Sequence, residues 1–292
     1  MLFKNKLSRL DSLIRKSGKT VIAFSGGVDS SFLLYRANYI AGDNIIALTT
    51  RTPYMSSQET EEAVEFTRLY SINHHIIEIP IPEKIKYNQA DRCYFCKRTI
   101  FEHILKFAED NGYSSVFDGT NADDLLETRP GIRALRELNV ISPLAEADMT
   151  KQDIRKYARK ANLSFWAKPA MSCLLTRIPH NTEITDNMLR MIEKAETILF
   201  DHGYPGSRVR IHDNIARIEC IPGYLKKLIT DPERDEIVVK IKETGFTFVT
   251  LDMEGYRTGS MDITINKTKE TENDQEGAAK NIGRGKTRFQ KC

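Results

Sequence analysis

Short apolar runs and helical apolar stripes alternate along the first half of the chain. Thr20-Val21-Ile22-Ala23-Phe24 is a compact run with β-branched residues, which predicts a buried strand. Ser25-Gly26-Gly27 breaks it, and Phe32, Leu33, Leu34 and Ala37 predict a helix beginning near Asp29. Asn44 to Thr50 predicts a second strand, Ser56 to Tyr70 a charged helix with a capping region at its start, and His75 to Ile79 a third strand ended by Pro80 and Pro82. A helix is expected over Lys97 to Asp110 and a fourth short strand over Ser115 to Asp118. This order implies an α/β fold with a largely parallel sheet flanked by helices.

Beyond Met149 the texture changes. Thr150-Lys151-Gln152-Asp153 is a good helix start, and that helix should reach about Ala161. Phe165 to Pro179 reads as a loop carrying a cysteine, and Asp186 to His202 as a helix stopped by Gly203 and Pro205. Arg208 to Cys220 alternates as strands do, and helices over Pro222 to Leu228 and Asp235 to Thr244 precede a last strand at Phe246 to Leu251. The expected organisation is an α/β domain over residues 1–180, a smaller α/β domain over 181–262 and a disordered polar tail over 263–292.

Composition narrows the class. The 292 residues, 40% hydrophobic and 28% charged, suffice for a full core. Lys and Arg number 43 against 40 Asp and Glu, a formal net charge of +3, which gives no overall electrostatic case for nucleic acid. The amphipathic N-terminus lacks the apolar stretch of a signal peptide, and no run is long enough to span a bilayer, so a cytoplasmic protein is expected. Five cysteines, an odd count, argue against a disulfide framework and turn attention to the short-spaced pair Cys93 and Cys96.

The strongest chemical signal is Ser25-Gly26-Gly27-Val28-Asp29-Ser30, placed after a strand and opening a helix. Small residues let the backbone wrap an anion, and helix-start N–H groups favour phosphate. Ser25 and Ser30 add hydroxyl donors, and Asp29 is suited to hold a bridging Mg²⁺. The segment is neither GxxxxGK[ST] nor GxGxxG; it resembles the SGGxDS pyrophosphate loop of the PP-loop ATP pyrophosphatases. A second acidic loop, Phe117-Asp118-Gly119-Thr120-Asn121-Ala122-Asp123-Asp124, follows the fourth strand, where carboxyl-end loops converge on ligands, and it fits a nucleotide site; a helix N-cap turn is the plain alternative, and the same residues can serve both. Asp123 is the candidate nucleotide-binding residue there.

Arg129-Pro130-Gly131, Ser142 to Ala147, Thr150 to Arg155, Trp166 to Pro179, Arg208-Val209-Arg210-Ile211-His212 and Ala216-Arg217-Ile218-Glu219, taken with this loop, resemble the LarE family of ATP-dependent sulfur transferases over about residues 5–260. The resemblance implies a PP-loop domain of adenine nucleotide alpha hydrolase type with a smaller C-terminal domain, and a homo-oligomer. It implies ATP cleaved to AMP and pyrophosphate, and thiolation of pyridinium-3,5-dicarboxylate mononucleotide during synthesis of the nickel-pincer cofactor. It places Cys173 on the family's sulfur-donating cysteine, Arg177 at the nucleotide, and Glu196 and Glu219 near a metal or phosphate site. Thr176 stands where Ser is common, and His180-Asn181 where Tyr-Gly is usual. Arg208 and Arg210, two apart on one strand face, could clamp phosphate or carboxylate; a solvated strand face is the plain alternative.

Cys93 and Cys96 alone suit a redox dithiol, zinc or iron–sulfur. With Cys173 they resemble the three-cysteine [4Fe–4S] subgroup, in which an open iron carries extra sulfide from a sulfur donor. A sacrificial Cys173, or zinc with a fourth ligand such as His103, is the alternative. Cys220 is expected in the core, Cys292 in the tail, and His74 and His75 in structural or exposed roles. A PP-loop tRNA thiolase and a non-enzymatic adenine-nucleotide sensor are the competing functions.

Overall fold

The computed structural model describes residues 3–126, 130–168 and 172–261. Arg129, Pro169–Met171, Cys292 and the expected tail from Ile263 lie outside the described residues. The chain divides into two compact units, Met1–Leu175 with Glu183–Glu193, and Thr176–Thr182 with Lys194–Cys292.

The first unit opens with α1 (Phe3–Lys16), β1 (Thr20–Ala23) and α2 (Val28–Ala41), then β2 (Ile45–Arg51), α3 (Ser57–Leu69) and β3 (His74–Glu78). It continues with α4 (Arg92–Asp110), β4 (Ser115–Phe117), α5 (Pro130–Glu137), α6 (Pro143–Glu146) and α7 (Lys151–Lys160). Its four strands pair in the order β3-β2-β1-β4, every pair parallel. Side-chain alternation explains why such short strands are apolar throughout. Ile22, Ala47 and Phe117 point to a core built with α1, α2 and α7, through Leu10, Phe32, Leu33 and Ile154. Their neighbours Val21, Leu48 and Val116 point to the opposite core, with Phe101, Ile104 and Ala108 of α4 and Leu135 of α5. Both sheet faces are thus covered, and the ligand-binding edge is left at the carboxyl ends of the strands.

Two local expectations are corrected. The fourth helix begins at Arg92, not Lys97, so Cys93 and Cys96 stand on its first turns rather than on a loop. Asp91, a residue type suited to an N-cap, stands at its start without making a side-chain cap bond. Ser56 precedes α3 without a side-chain cap bond, whereas Thr150 and Asp153 form the reciprocal capping box expected for α7.

Helix α8 (Asp186–Asp201) begins in the first unit and ends in the second. The second unit then holds β5 (Arg208–His212), β6 (Ile215–Glu219), α9 (Leu225–Ile229), α10 (Arg234–Glu243) and β7 (Phe248–Leu251). Strands β5 and β6 are antiparallel, joined at Asp213-Asn214, and β7 joins parallel to β6. Val209, Ile211, Ala216 and Ile218 are buried with Ile237 and Ile241, and Cys220 is a fully enclosed core thiol, as expected. Among the described residues no helix is long and apolar enough to cross a membrane.

Candidate functional site

The turn after β1 has the form an anion requires. Gly26 sits at φ +69°, a left-handed conformation that side chains disfavour, and a Cβ there would lie 3.4 Å from the Glu59 carbonyl oxygen of α3. Gly27 is the N-cap of α2 and supplies no side-chain cap, so the helix's first N–H groups have no capping side chain. The hydroxyls of Ser25 and Ser30 lie 3.1 Å apart across the turn, and Ser30 Oγ donates to the Gly27 carbonyl at 3.1 Å. Gly119 brings the β4 loop against the same turn: a Cβ on it would stand 3.0 Å from the Ser30 nitrogen.

Asp29 points into a polar network. Its Oδ2 accepts from Lys151 Nζ at 2.5 Å and from Asn121 Nδ2 at 3.3 Å, while its Oδ1 is buried with no hydrogen-bond partner. Burial raises the Asp29 carboxyl above its ordinary value, against the opposing pull of Lys151 and Asn121. A carboxylate with one satisfied and one orphaned oxygen suits Mg²⁺, which takes few protein ligands and completes its shell with phosphate and water. Asp123 is spent differently: its carboxylate accepts the Lys151 backbone N–H at 2.8 Å, at the start of α7. In the β4 loop Asp123 thus caps the start of α7, while Asn121 reaches Asp29.

Lysines 151 and 168 were not singled out in the sequence as site residues. Lys168 Nζ donates to the Gly26 carbonyl at 2.8 Å and pairs with Glu62. The only prior signal was the position of both lysines inside the quoted segments Thr150 to Arg155 and Trp166 to Pro179.

The cysteines form a second locus in the same unit. Cys93 and Cys96, three residues apart on α4, share a helix face; Cys93 is exposed and Cys96 half-buried. Tyr54, 1% exposed, places its hydroxyl 3.1 Å from Cys96 Sγ and accepts the Leu174 N–H on its carbonyl at 2.9 Å. It therefore binds the helix that carries the pair and the segment that carries Cys173. Burial pushes the Cys96 thiol up to about 11; the Tyr54 hydrogen bond opposes this, and Cys173 and Cys93 add to it. The three thiols are thus electrostatic neighbours. Among the described residues, however, no three His, Cys, Asp or Glu side chains stand close enough to hold one metal ion. His103 bonds the Thr99 carbonyl of its own helix at 2.8 Å.

The remaining predicted residues belong to the second unit. Arg177, 2% exposed, makes a two-pronged pair with Glu196 at 2.9 and 3.0 Å, and Glu196 also accepts the Val209 N–H. Glu219 is fully enclosed and accepts from Arg210, Arg217 and Ser260. Arg210 also donates to the Thr176 carbonyl. Arg208 differs: its Nε is buried without a partner, and burial, then Arg177, lowers its pKa. Of the two strand arginines, Arg208 is the one with a buried nitrogen that has no hydrogen-bond partner. His74 is structural, held between Thr67 and Thr49 at 2.9 and 2.8 Å.

Comparison with known proteins agrees with this geometry. The family of the queuosine biosynthesis protein QueC matches residues 19–92, from β1 to the first residue of α4. A Methanocaldococcus jannaschii protein is 38% identical, covering 88% of this chain and 99% of its own. A Synechocystis protein is 35% identical over 91% of this chain and 100% of its own. The pyridinium-3,5-bisthiocarboxylic acid mononucleotide synthase of Lactiplantibacillus plantarum is 30% identical over 90% of this chain and 96% of its own. At that identity and coverage, with the glycine turn and cysteine locus in one unit, the chain belongs to the family of this synthase, the LarE family.

Proposed function

We propose that the protein is an ATP-dependent sulfur transferase that thiolates a carboxylate of pyridinium-3,5-dicarboxylate mononucleotide. The observation that carries this reading is a phosphate-type turn in the same compact unit as Cys93, Cys96 and Cys173. The name of the Lactiplantibacillus plantarum relative gives a pyridinium-3,5-bisthiocarboxylic acid mononucleotide as its product, and the corresponding dicarboxylate is the substrate that thiolation would require.

A carboxylate is a poor electrophile. Its oxygen attacks the α-phosphorus of ATP, the bond to the β-phosphate oxygen breaks, and pyrophosphate leaves. Helix N–H groups at Gly27, the Ser25 and Ser30 hydroxyls and the Lys151 and Lys168 ammonium groups are positioned to stabilise that charge. Asp29 would hold Mg²⁺, which supplies charge neutralisation between phosphates. A sulfur nucleophile then attacks the acyl carbon and AMP leaves with both electrons of the C–O bond. In this reading Arg208 takes an anionic group of the substrate. Arg210, Glu196, Glu219 and Arg177 hold that arginine's surroundings in place. Cys173 handles the transferred sulfur with Cys93 and Cys96, and a [4Fe–4S] cluster is the group whose ligand chemistry three thiolates suit best. The Tyr54 contact to Cys96 would have to open for all three thiols to ligate together.

One experiment tests the reading. Wild type and Cys173→Ala are purified anaerobically and assayed for iron, acid-labile sulfide, pyrophosphate release and thiocarboxylate. Pyrophosphate release by both, thiolation by wild type alone, and iron lost from the variant are expected. Full thiolation by Cys173→Ala removes the sulfur assignment, and zinc in place of iron removes the cluster while leaving adenylation.

A further inference from the structure

Helix α3 serves two sides. Toward the glycine turn it offers the Glu59 carbonyl and Ala63, 3.4 and 3.6 Å from where a Cβ on Gly26 would lie, and Glu62, which pairs with Lys168. Glu61, Val64, Glu65 and Arg68 project from the opposite side, as a repeat of about 3.6 residues per turn requires. There, with the ends of β2 and β3, they border a cavity of about 910 Å³, a size usual for small-ligand sites. Part of its charge is already engaged: Arg51 pairs with Glu78 at 3.1 Å, and Glu193 accepts the Ser57 N–H at 2.6 Å. Among the described residues Glu61, Glu65 and Arg68 enter no ion pair. Glu61 and Glu65, four residues apart, repel one another, and an ammonium between them would relieve that repulsion. Arg68, on the same face, offers a guanidinium fork to a carboxylate. Just past β2, Thr52 is 3% exposed, and its Oγ1 is buried with no hydrogen-bond partner of ordinary geometry.

Thr52, Pro53 and Met55 line the cavity, whereas Tyr54 between them turns to Cys96, 3.1 Å from its Sγ. We propose that the cavity binds a sulfur-bearing amino-acid zwitterion, cysteine or a cysteine peptide that keeps a free amino-acid head. The sulfur in this assignment rests on reading Cys93, Cys96 and Cys173 as the groups that handle transferred sulfur. Glu61 and Glu65 take the ammonium, and Arg68 takes the carboxylate. Thr52 meets the thiol, toward which a hydroxyl is both donor and acceptor, and Met55 and Ile79 give the sulfur an apolar bed. The body of α3 stands between this cavity and the glycine turn, so the ligand is not one whose carboxylate meets the α-phosphate of ATP.

The full chain is titrated by calorimetry, anaerobically and under reducing conditions, with five probes. L-cysteine and glutathione carry the whole pattern, L-alanine lacks the sulfur, 3-mercaptopropionate lacks the ammonium, and nicotinate mononucleotide stands for the sulfur acceptor. L-cysteine, glutathione or both should bind, and L-alanine and 3-mercaptopropionate should bind about tenfold more weakly or worse. The double variant Glu61→Gln with Glu65→Gln, and separately Arg68→Gln, should each raise the dissociation constant about tenfold. Thr52→Val should erase the preference for cysteine over alanine. All three α3 side chains are exposed, so these variants should fold; should the double variant fail, Arg68→Gln and Thr52→Val carry the same test. No binding of either thiol to the wild type, or binding that none of the variants weakens, overturns the proposal. Alanine bound as tightly as cysteine overturns the assignment to a sulfur-bearing ligand. Nicotinate mononucleotide bound in place of the thiols, and weakened by Arg68→Gln, overturns it in favour of the acceptor. A wild type that binds cysteine here but forms no thiocarboxylate would instead sink the sulfur-transfer reading and leave the binding site standing.

Discussion

Glu219 shows what a sequence can and cannot say about a charged residue. The motif placed it near a site, yet nothing in the local residues told that its carboxylate is wholly enclosed and shared by Arg210, Arg217 and Ser260. Removing one partner of such a pair strands the other's charge away from water, which costs about 3–5 kcal/mol. Glu219→Gln should therefore lower the unfolding free energy measured by urea titration by an amount in that range. Glu102→Gln, which breaks only the exposed i,i+4 pair with Arg98, should change stability by roughly 0.5 kcal/mol or less. The same contrast separates Arg208 from Arg210. Spacing put both on one strand face, and they are; only packing decides that Arg210 is committed to Glu219 while Arg208 keeps an unpartnered Nε. Partner choice across strands is a three-dimensional fact, so the equality of the two arginines in the sequence was an artefact of reading along the chain.

At the scale of elements, the strand–helix alternation of the first unit was legible because each strand is a short, uniformly apolar run and each helix an amphipathic stripe. The start of α4 was not. Its first residues, Arg92, Cys93, Tyr94, Phe95 and Cys96, make no apolar stripe, so the expected helix began only at Lys97 and the helix face shared by the cysteine pair was not legible. Tyr54 was invisible for a related reason: a lone tyrosine after β2 gives no hint that it bridges two cysteine-bearing segments. His74 is another such tie. Its ring joins β3 to Thr67 of α3 and Thr49 of β2, and Thr49 donates in turn to the Phe24 carbonyl at 2.8 Å. Burial, with His75 nearby, lowers its pKa below 6.5, so the folded state favours the neutral ring. The unfolded chain then takes up the proton first as pH falls. The stability His74 contributes is complete above the unfolded value and is lost as pH drops from 6.5 through the lowered folded value. Urea midpoints measured across that window should decline more steeply for wild type than for His74→Gln. Parallel slopes would mean that another group governs the acid limb.

For the whole molecule, the question left open by a PP-loop beside cysteines is whether the acceptor is a small nucleotide or a folded RNA. Charge bears on it directly. The 43 Lys and Arg residues barely exceed the 40 Asp and Glu residues, and several arginines are consumed internally: Arg36 on Asp11, Arg177 on Glu196, Arg210 on Glu219 and Arg217 on Asp252. An RNA-binding surface gains affinity by releasing counterions from many phosphates, so its binding weakens steeply as salt rises. A site that meets one phosphate and two carboxylates has a shallow dependence. Mobility-shift titration of tRNA should accordingly give no retarded band even at low salt, while the mononucleotide substrate binds with affinity little altered by added salt. A tRNA complex that forms at low salt and dissolves with a steep logarithmic slope would transfer the adenylation chemistry to an RNA acceptor. The argument from the glycine turn and its two lysines would survive that result, because activation at the α-phosphate is indifferent to which nucleophilic oxygen arrives. What would change is the task of Arg208, whose unpartnered Nε would have to meet a nucleic-acid backbone instead of a substrate anion.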